Sequence, residues 1–186
     1  NGSVANFKVD GTILEVTLPT ALADGSKTTF ELEWKAQVPE QIRRSGRNSK
    51  EGVAFSMAQW YPKMAHFDEF GWHLDEYVGR EFIAPFGDFD VTIHLHKDYV
   101  VGASGVLQNP NEVKGYVNKA KIKTKNNKAS WRFKAENIHD FAWGADPKFV
   151  VDSTASAGGV KIYAVYIPST KDVISNWTQA LGFSKE

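Results

Sequence analysis

The chain has 186 residues, 42% hydrophobic and 13% aromatic, which suits one domain with a sizeable core. Its 22 Lys and Arg balance 22 Asp and Glu, so net charge points to neither nucleic acid nor an anionic membrane surface. The absence of cysteine excludes disulfides, thiolate metal sites and a cysteine nucleophile while leaving the compartment open.

Residues 1–6 (NGSVAN) lack the basic start and apolar stretch of a secretory leader, and strand-like sequence follows at once. No apolar run approaches the roughly 20 residues of a spanning helix. Thr12–Leu18 alternates apolar and polar residues, as a strand with one wet face does. Pro19, Asp24 and Gly25 mark a turn, and Thr28–Val38 alternates again with Phe30, Leu32 and Trp34 on one face. These two runs are expected to pair antiparallel. Arg43–Gly52 is polar and aperiodic and reads as a surface loop, its three Arg offering either a phosphate contact or a solvated face.

Val53–Trp72 is the densest aromatic stretch, and Pro62 prevents it from being one central strand or helix. Phe89–Leu95 and Tyr99–Ala103 read as strands. Tyr116–Lys128 carries alternate lysines on one strand face, either a basic strip for an acidic partner or a solvated edge. Asn126-Asn127 marks a hairpin turn into Ala129–Ala135. Phe141–Trp143 and Lys161–Ile167 are further apolar segments. Val173, Ile174, Trp177 and Leu181 recur at helical spacing within Lys171–Leu181, with Gly182 as the expected C-cap.

The H-E-x-x-H pattern of a zinc peptidase is absent, as are a G-x-S-x-G elbow and the glycine-rich phosphate loops. His94 and His96 alternate along a strand and share a face, so they are either two metal ligands in want of a third or two solvent-facing residues. His73 lies near Asp75 and Glu76, and His139 adjoins Asp140. Asp68 and Asp88 fit turn or capping roles. Trp60, Tyr61, Phe67, Phe70 and Trp72 serve either as core and interface or as a platform for sugar rings.

Four stretches recur together in one family. They are Phe55-Ser-Met-Ala-Gln-Trp-Tyr-Pro-Lys-Met-Ala-His-Phe-Asp-Glu, Gly71-Trp-His, Phe86-Gly-Asp-Phe-Asp-Val-Thr-Ile, and Trp131 through the Phe141-Ala-Trp-Gly-Ala-Asp-Pro run, with Glu81-Phe between the second and third. In order and spacing they resemble the N-terminal domain of aminopeptidase N-like zinc metallopeptidases, in a bacterial branch, over residues 10–168. The resemblance implies an all-β, mainly antiparallel, saddle- or sandwich-like domain. It spans residues 1–168, with further strands ahead of Asn1, and residues 169–186 lead by a short helix into a catalytic domain beyond this chain.

The resemblance also implies that this chain is not itself an enzyme and holds no cofactor, the zinc belonging to the following domain. Its partners would be that catalytic domain and a peptide substrate, with no nucleic acid and no membrane span, in an exported, periplasmic or surface-attached protein. Gln59 matches the residue with which the family holds the substrate's free α-amino group, although Met57 stands where the commoner form has a second polar residue. The plainer reading of Gln59 is a buried amide satisfied by backbone. Asp68 and Glu69 would hold the loop presenting Gln59, and Phe141-Ala142-Trp143 would be partly exposed toward the catalytic domain. A carbohydrate-binding or scaffold β-domain using exposed aromatics is the alternative.

Overall fold

The structure, a computed structural model, describes residues 4–74 and 84–185. In chain order the strands are β1 (Asn6–Asp10), β2 (Ile13–Thr17), β3 (Gly46–Arg47), β4 (Phe55–Met57), β5 (Phe67–Asp68), β6 (Gly71–Trp72) and β7 (Gly87–His96). They continue with β8 (Val100–Ala103), β9 (Val106–Leu107), β10 (Lys128–Ile138), β11 (Trp143–Asp146), β12 (Val150–Ala155) and β13 (Lys161–Tyr166), and helix α1 (Lys171–Phe183) follows. The fold is all-β, and every strand pair among the described residues is antiparallel. The chain forms two compact units, one from residues 1–37 and 63–85 and the other from 38–62 and 86–186.

Among the described residues, the buried core lies in the second unit. Along β10, Ala129, Trp131, Phe133 and Ala135 are buried while Arg132, Lys134 and Glu136 are exposed, the period-two pattern of a sheet with one wet face. The inward residues pair across β7, Trp131 with Ile93 and Phe133 with Val91. The β7-β10-β9 sheet meets the β3-β4-β11-β8 sheet through one cluster that also takes in Val101, Ala145, Phe141 and Val113. Trp131 and Phe141 are both wholly buried, and each side chain of that size contributes on the order of 3 kcal/mol. Gly105 lets the chain pass from β8 to β9, since its φ is +81° and a Cβ there would sit 2.2 Å from the Lys134 carbonyl oxygen.

A separate hairpin, β12–β13, leads to α1. Thr170 caps the helix, its Oγ1 accepting from the Val173 N–H at 3.2 Å, and Trp177 stacks on Tyr166 at 5.5 Å and 17°. Gly182 lies inside the helix, which ends instead at Ser184, whose N–H returns to the Ala180 carbonyl.

Several expected pairings are corrected. The partner of β2 is β1, across a two-residue turn in which Gly11 takes φ +55°, the left-handed position that favours glycine. Residues 28–38 form no ladder among the described residues. The lysine-rich segment is not the partner of β10, which pairs with β7 and, briefly, β9. The Lys121 and Lys123 N–H groups instead bond the carbonyls of Asn111 and Glu112, which leaves the lysines solvated. The expected turn does form: Asn126 and Asn127 both have positive φ between the bridged residues Lys125 and Lys128. Part of the Arg43–Gly52 loop is a strand, β3, laid on β4.

Candidate functional site

Gln59 follows β4 in the second unit. The backbone on either side is pinned. The Ala58 N–H donates to Ser45 Oγ at 2.9 Å, and the same hydroxyl donates to the Ala58 carbonyl. Trp60 Nε1 donates to the Phe141 carbonyl at 3.0 Å, and the Tyr61 hydroxyl donates to Asp140 Oδ1 at 3.1 Å. Asp140 Oδ1 also accepts from the Phe141 N–H at 2.8 Å. Burial first, and then the Asp140 carboxylate, push the Tyr61 hydroxyl up to about 12, so it stays a neutral donor.

Held between these anchors, Gln59 adopts φ +52°, a left-handed conformation unusual for a residue with a Cβ. It is exposed, and its side-chain amide makes no hydrogen bond among the described residues. The plainer expectation, a buried amide satisfied by backbone, therefore does not describe it. An exposed amide oxygen on a fixed backbone can accept from an ammonium group. Met57 lies two residues back in β4 and pairs in register with Trp143.

The other residues expected at this edge are rearranged. Phe141 is wholly buried and Trp143 is half-buried, 6.2 Å from Trp60 and 6.3 Å from Phe55, so of the two rings expected to be partly exposed only Trp143 keeps some exposure. Asp68 Oδ1 accepts from the Phe70 N–H at 2.9 Å, which closes the turn of its own hairpin. Asp88 Oδ1 accepts from the Asn137 N–H at 2.9 Å beside the β10 register shift, the turn-like role expected of it.

The first unit carries a different constellation on β5–β6. Phe67 pairs with Trp72 and Asp68 with Gly71, and the His73 N–H donates to the His66 carbonyl at 2.9 Å. His66 and His73 are thus neighbours across the hairpin. Asp68 Oδ2 lies 2.8 Å from His73 Nε2 and 3.7 Å from His66 Nε2, and the three donor atoms all fall within 4.8 Å of one another. The Phe70 N–H and then the His73 hydrogen bond hold the Asp68 carboxyl below its ordinary range. Phe67, Phe70 and Trp72 are exposed, and the Phe67 and Trp72 rings are tilted by 57° at 5.0 Å, so they do not form the flat platform of stacked-sugar recognition.

Sequence reading overlooked this His-Asp-His group, since it set His73 beside Asp75 and Glu76, which lie outside the described residues, as does Glu81. The available signal was H-x-D before a two-residue turn with a His three residues beyond that turn. His94 and His96 have separate partners, His94 Nδ1 at 2.8 Å from Ser130 Oγ and His96 Nδ1 at 3.3 Å from Asp98 Oδ2, and no third donor joins them among the described residues.

No family model, no curated protein and no solved structure matches the chain.

Proposed function

We propose that this chain is the non-catalytic N-terminal β domain of a zinc aminopeptidase, and that it shapes the substrate groove, helps to hold the peptide's N-terminus and packs on a catalytic domain. The observation that carries the reading is Gln59: an exposed, unpaired amide in a left-handed conformation, between two anchored neighbours, on the Gln-Trp-Tyr-Pro-Lys-Met motif that resembles the family's. A left-handed non-glycine residue costs on the order of 1 kcal/mol, and such strain gathers where a side chain must be presented in one place. The amide oxygen accepts a hydrogen bond from the substrate ammonium and stays uncharged when the site is empty. The exposed rings of Phe67, Phe70 and Trp72 suit a surface that a neighbouring domain covers. In this reading the zinc and the glutamate that activates its water belong to the parent protein's catalytic domain.

The test has two parts. The reading frame beyond Glu186 is expected to encode H-E-x-x-H followed by a further Glu, and a continuation without it overturns the proposal. In the full-length protein, Gln59→Ala is expected to lower kcat/KM for substrates with a free N-terminus about tenfold to hundredfold, the worth of a hydrogen bond to a charged group. Equal activity of the variant on those substrates would remove Gln59 from the site.

A further inference from the structure

We propose that His66, Asp68 and His73 form a binding site for one divalent first-row transition metal ion of the zinc type, on one face of the β5–β6 hairpin. The proposal uses only this chain's own hairpin and does not depend on the aminopeptidase reading.

The hairpin explains why these three side chains meet. His66, just before β5, and Asp68, at its end, are two residues apart in chain that continues the ladder pairing, and so share a face. His73 stands opposite His66 across the ladder, as the 2.9 Å bond from the His73 N–H to the His66 carbonyl shows. Phe67 and Trp72, one step along each strand, pair on the opposite face. A sequence of the form H-x-D, two-residue turn, G-x-H therefore places two imidazoles and a carboxylate together by register alone, without help from another element.

The donor set fits the ion. Zinc lies about 2.0–2.2 Å from imidazole nitrogen or carboxylate oxygen, so donors around one ion stand about 3–3.6 Å apart. The separations of 2.8 and 3.7 Å to Asp68 Oδ2 bracket that range, and small rotations of the imidazoles close the remaining distance, which is within 4.8 Å. Both histidines offer Nε2, the ring nitrogen farther from the backbone. Asp68 is already oriented, because its other oxygen is held by the Phe70 N–H at 2.9 Å, the kind of outer bond that fixes a ligating carboxylate. Opposite Asp68 stands Gly71, where an added Cβ would meet nothing within 4 Å, so water has room to complete the coordination. Two imidazoles and one carboxylate with open positions are a recurrent set for zinc and for ferrous iron. The competing account is a His73–Asp68 hydrogen bond with His66 as a bystander.

Tag-free protein, stripped of metal, is to be titrated with zinc chloride by calorimetry, with bound zinc counted by elemental analysis after dialysis. One zinc per chain is expected. His66→Ala, and separately Asp68→Asn, which keeps the oxygen that accepts from Phe70, are each expected to weaken binding at least about tenfold. A variant with both His94→Ala and His96→Ala is expected to bind as the parent does. Cobalt(II) in place of zinc gives a second readout that does not depend on thermal stability: nitrogen-coupled imidazole signals of His66 and His73 should shift together on binding. The proposal fails if no zinc binds, if binding survives loss of His66 unchanged, or if it is lost with His94 and His96.

Discussion

One aromatic stretch, Val53–Trp72, supplies both units of the chain and meets opposite fates in them. Trp60 and Tyr61 end up clamped to Phe141 and Asp140 in the second unit. Phe67, Phe70 and Trp72, a few residues on, remain exposed in the first, Phe70 at 86%. Composition does not separate the two groups. Trp60 and Tyr61 lie beside β11 and β7, long-range partners that bring in Phe141, Trp143 and Phe89. Phe67 and Trp72 have each other across a hairpin of two residues per strand. An aromatic is buried when distant chain returns to cover it, and local density only makes that possible.

The contrast predicts very different costs for removing rings. Trp131→Ala, in the middle of the second unit's core, is expected to lose about 3–5 kcal/mol of unfolding free energy in a denaturant titration. Phe70→Ala is expected to change stability by no more than about 0.5 kcal/mol. A comparable loss at Phe70 would mean that the exposed hairpin is integral to the stability of the whole chain.

Glycines sharpen the same comparison at smaller scale. Gly105 in the second unit and Gly25 in the first both have positive φ, +81° and +69°. A Cβ at Gly105 meets the Lys134 carbonyl at 2.2 Å, whereas one at Gly25 meets nothing within 4 Å. Gly25→Ala should therefore cost only the left-handed penalty, about 1 kcal/mol, and Gly105→Ala clearly more, about 2–3 kcal/mol. Equal values would show that the β8–β9 turn relaxes to admit a methyl group.

Much of the second unit was legible in the sequence. The alternation of Phe89–Leu95 and Ala129–Ala135 gave β7 and β10, and helical spacing after Ser169 gave α1. Their pairing was less legible. The Asn126-Asn127 turn suggested that the lysine segment was the neighbour of β10, whereas β10 has its long partner in β7, more than 30 residues upstream, a choice made by burial of Trp131 and Phe133 against Val91 and Ile93. Gln59 was found through its motif, but its exposure and left-handed backbone depend on Ser45 and Phe141, distant contacts that spacing does not show. The His66–Asp68–His73 group was missed for a local reason. Its register is set by a turn at Glu69-Phe70, which carries none of the usual glycine or asparagine signals at its two central positions.

A pH-dependent effect concerns how firmly the second unit holds the residue pair after Gln59. Tyr61 donates to Asp140, and its hydroxyl is pushed up to about 12 from the ordinary 10.0. The folded state thus favours the neutral phenol, so this contribution to stability is complete below pH 10.0 and fades as pH rises toward about 12. An alkaline titration of phenolate absorbance should show Tyr61 ionising after the exposed tyrosines, together with Tyr116, which burial also pushes up. Tyr61→Phe should remove one late-titrating group and cost about 1 kcal/mol at neutral pH, because Asp140 keeps its bond from the Phe141 N–H. If the late phase is unchanged in that variant, Tyr61 is open to solvent, and the anchor that fixes the backbone of Gln59 rests on Trp60 and Ser45 alone.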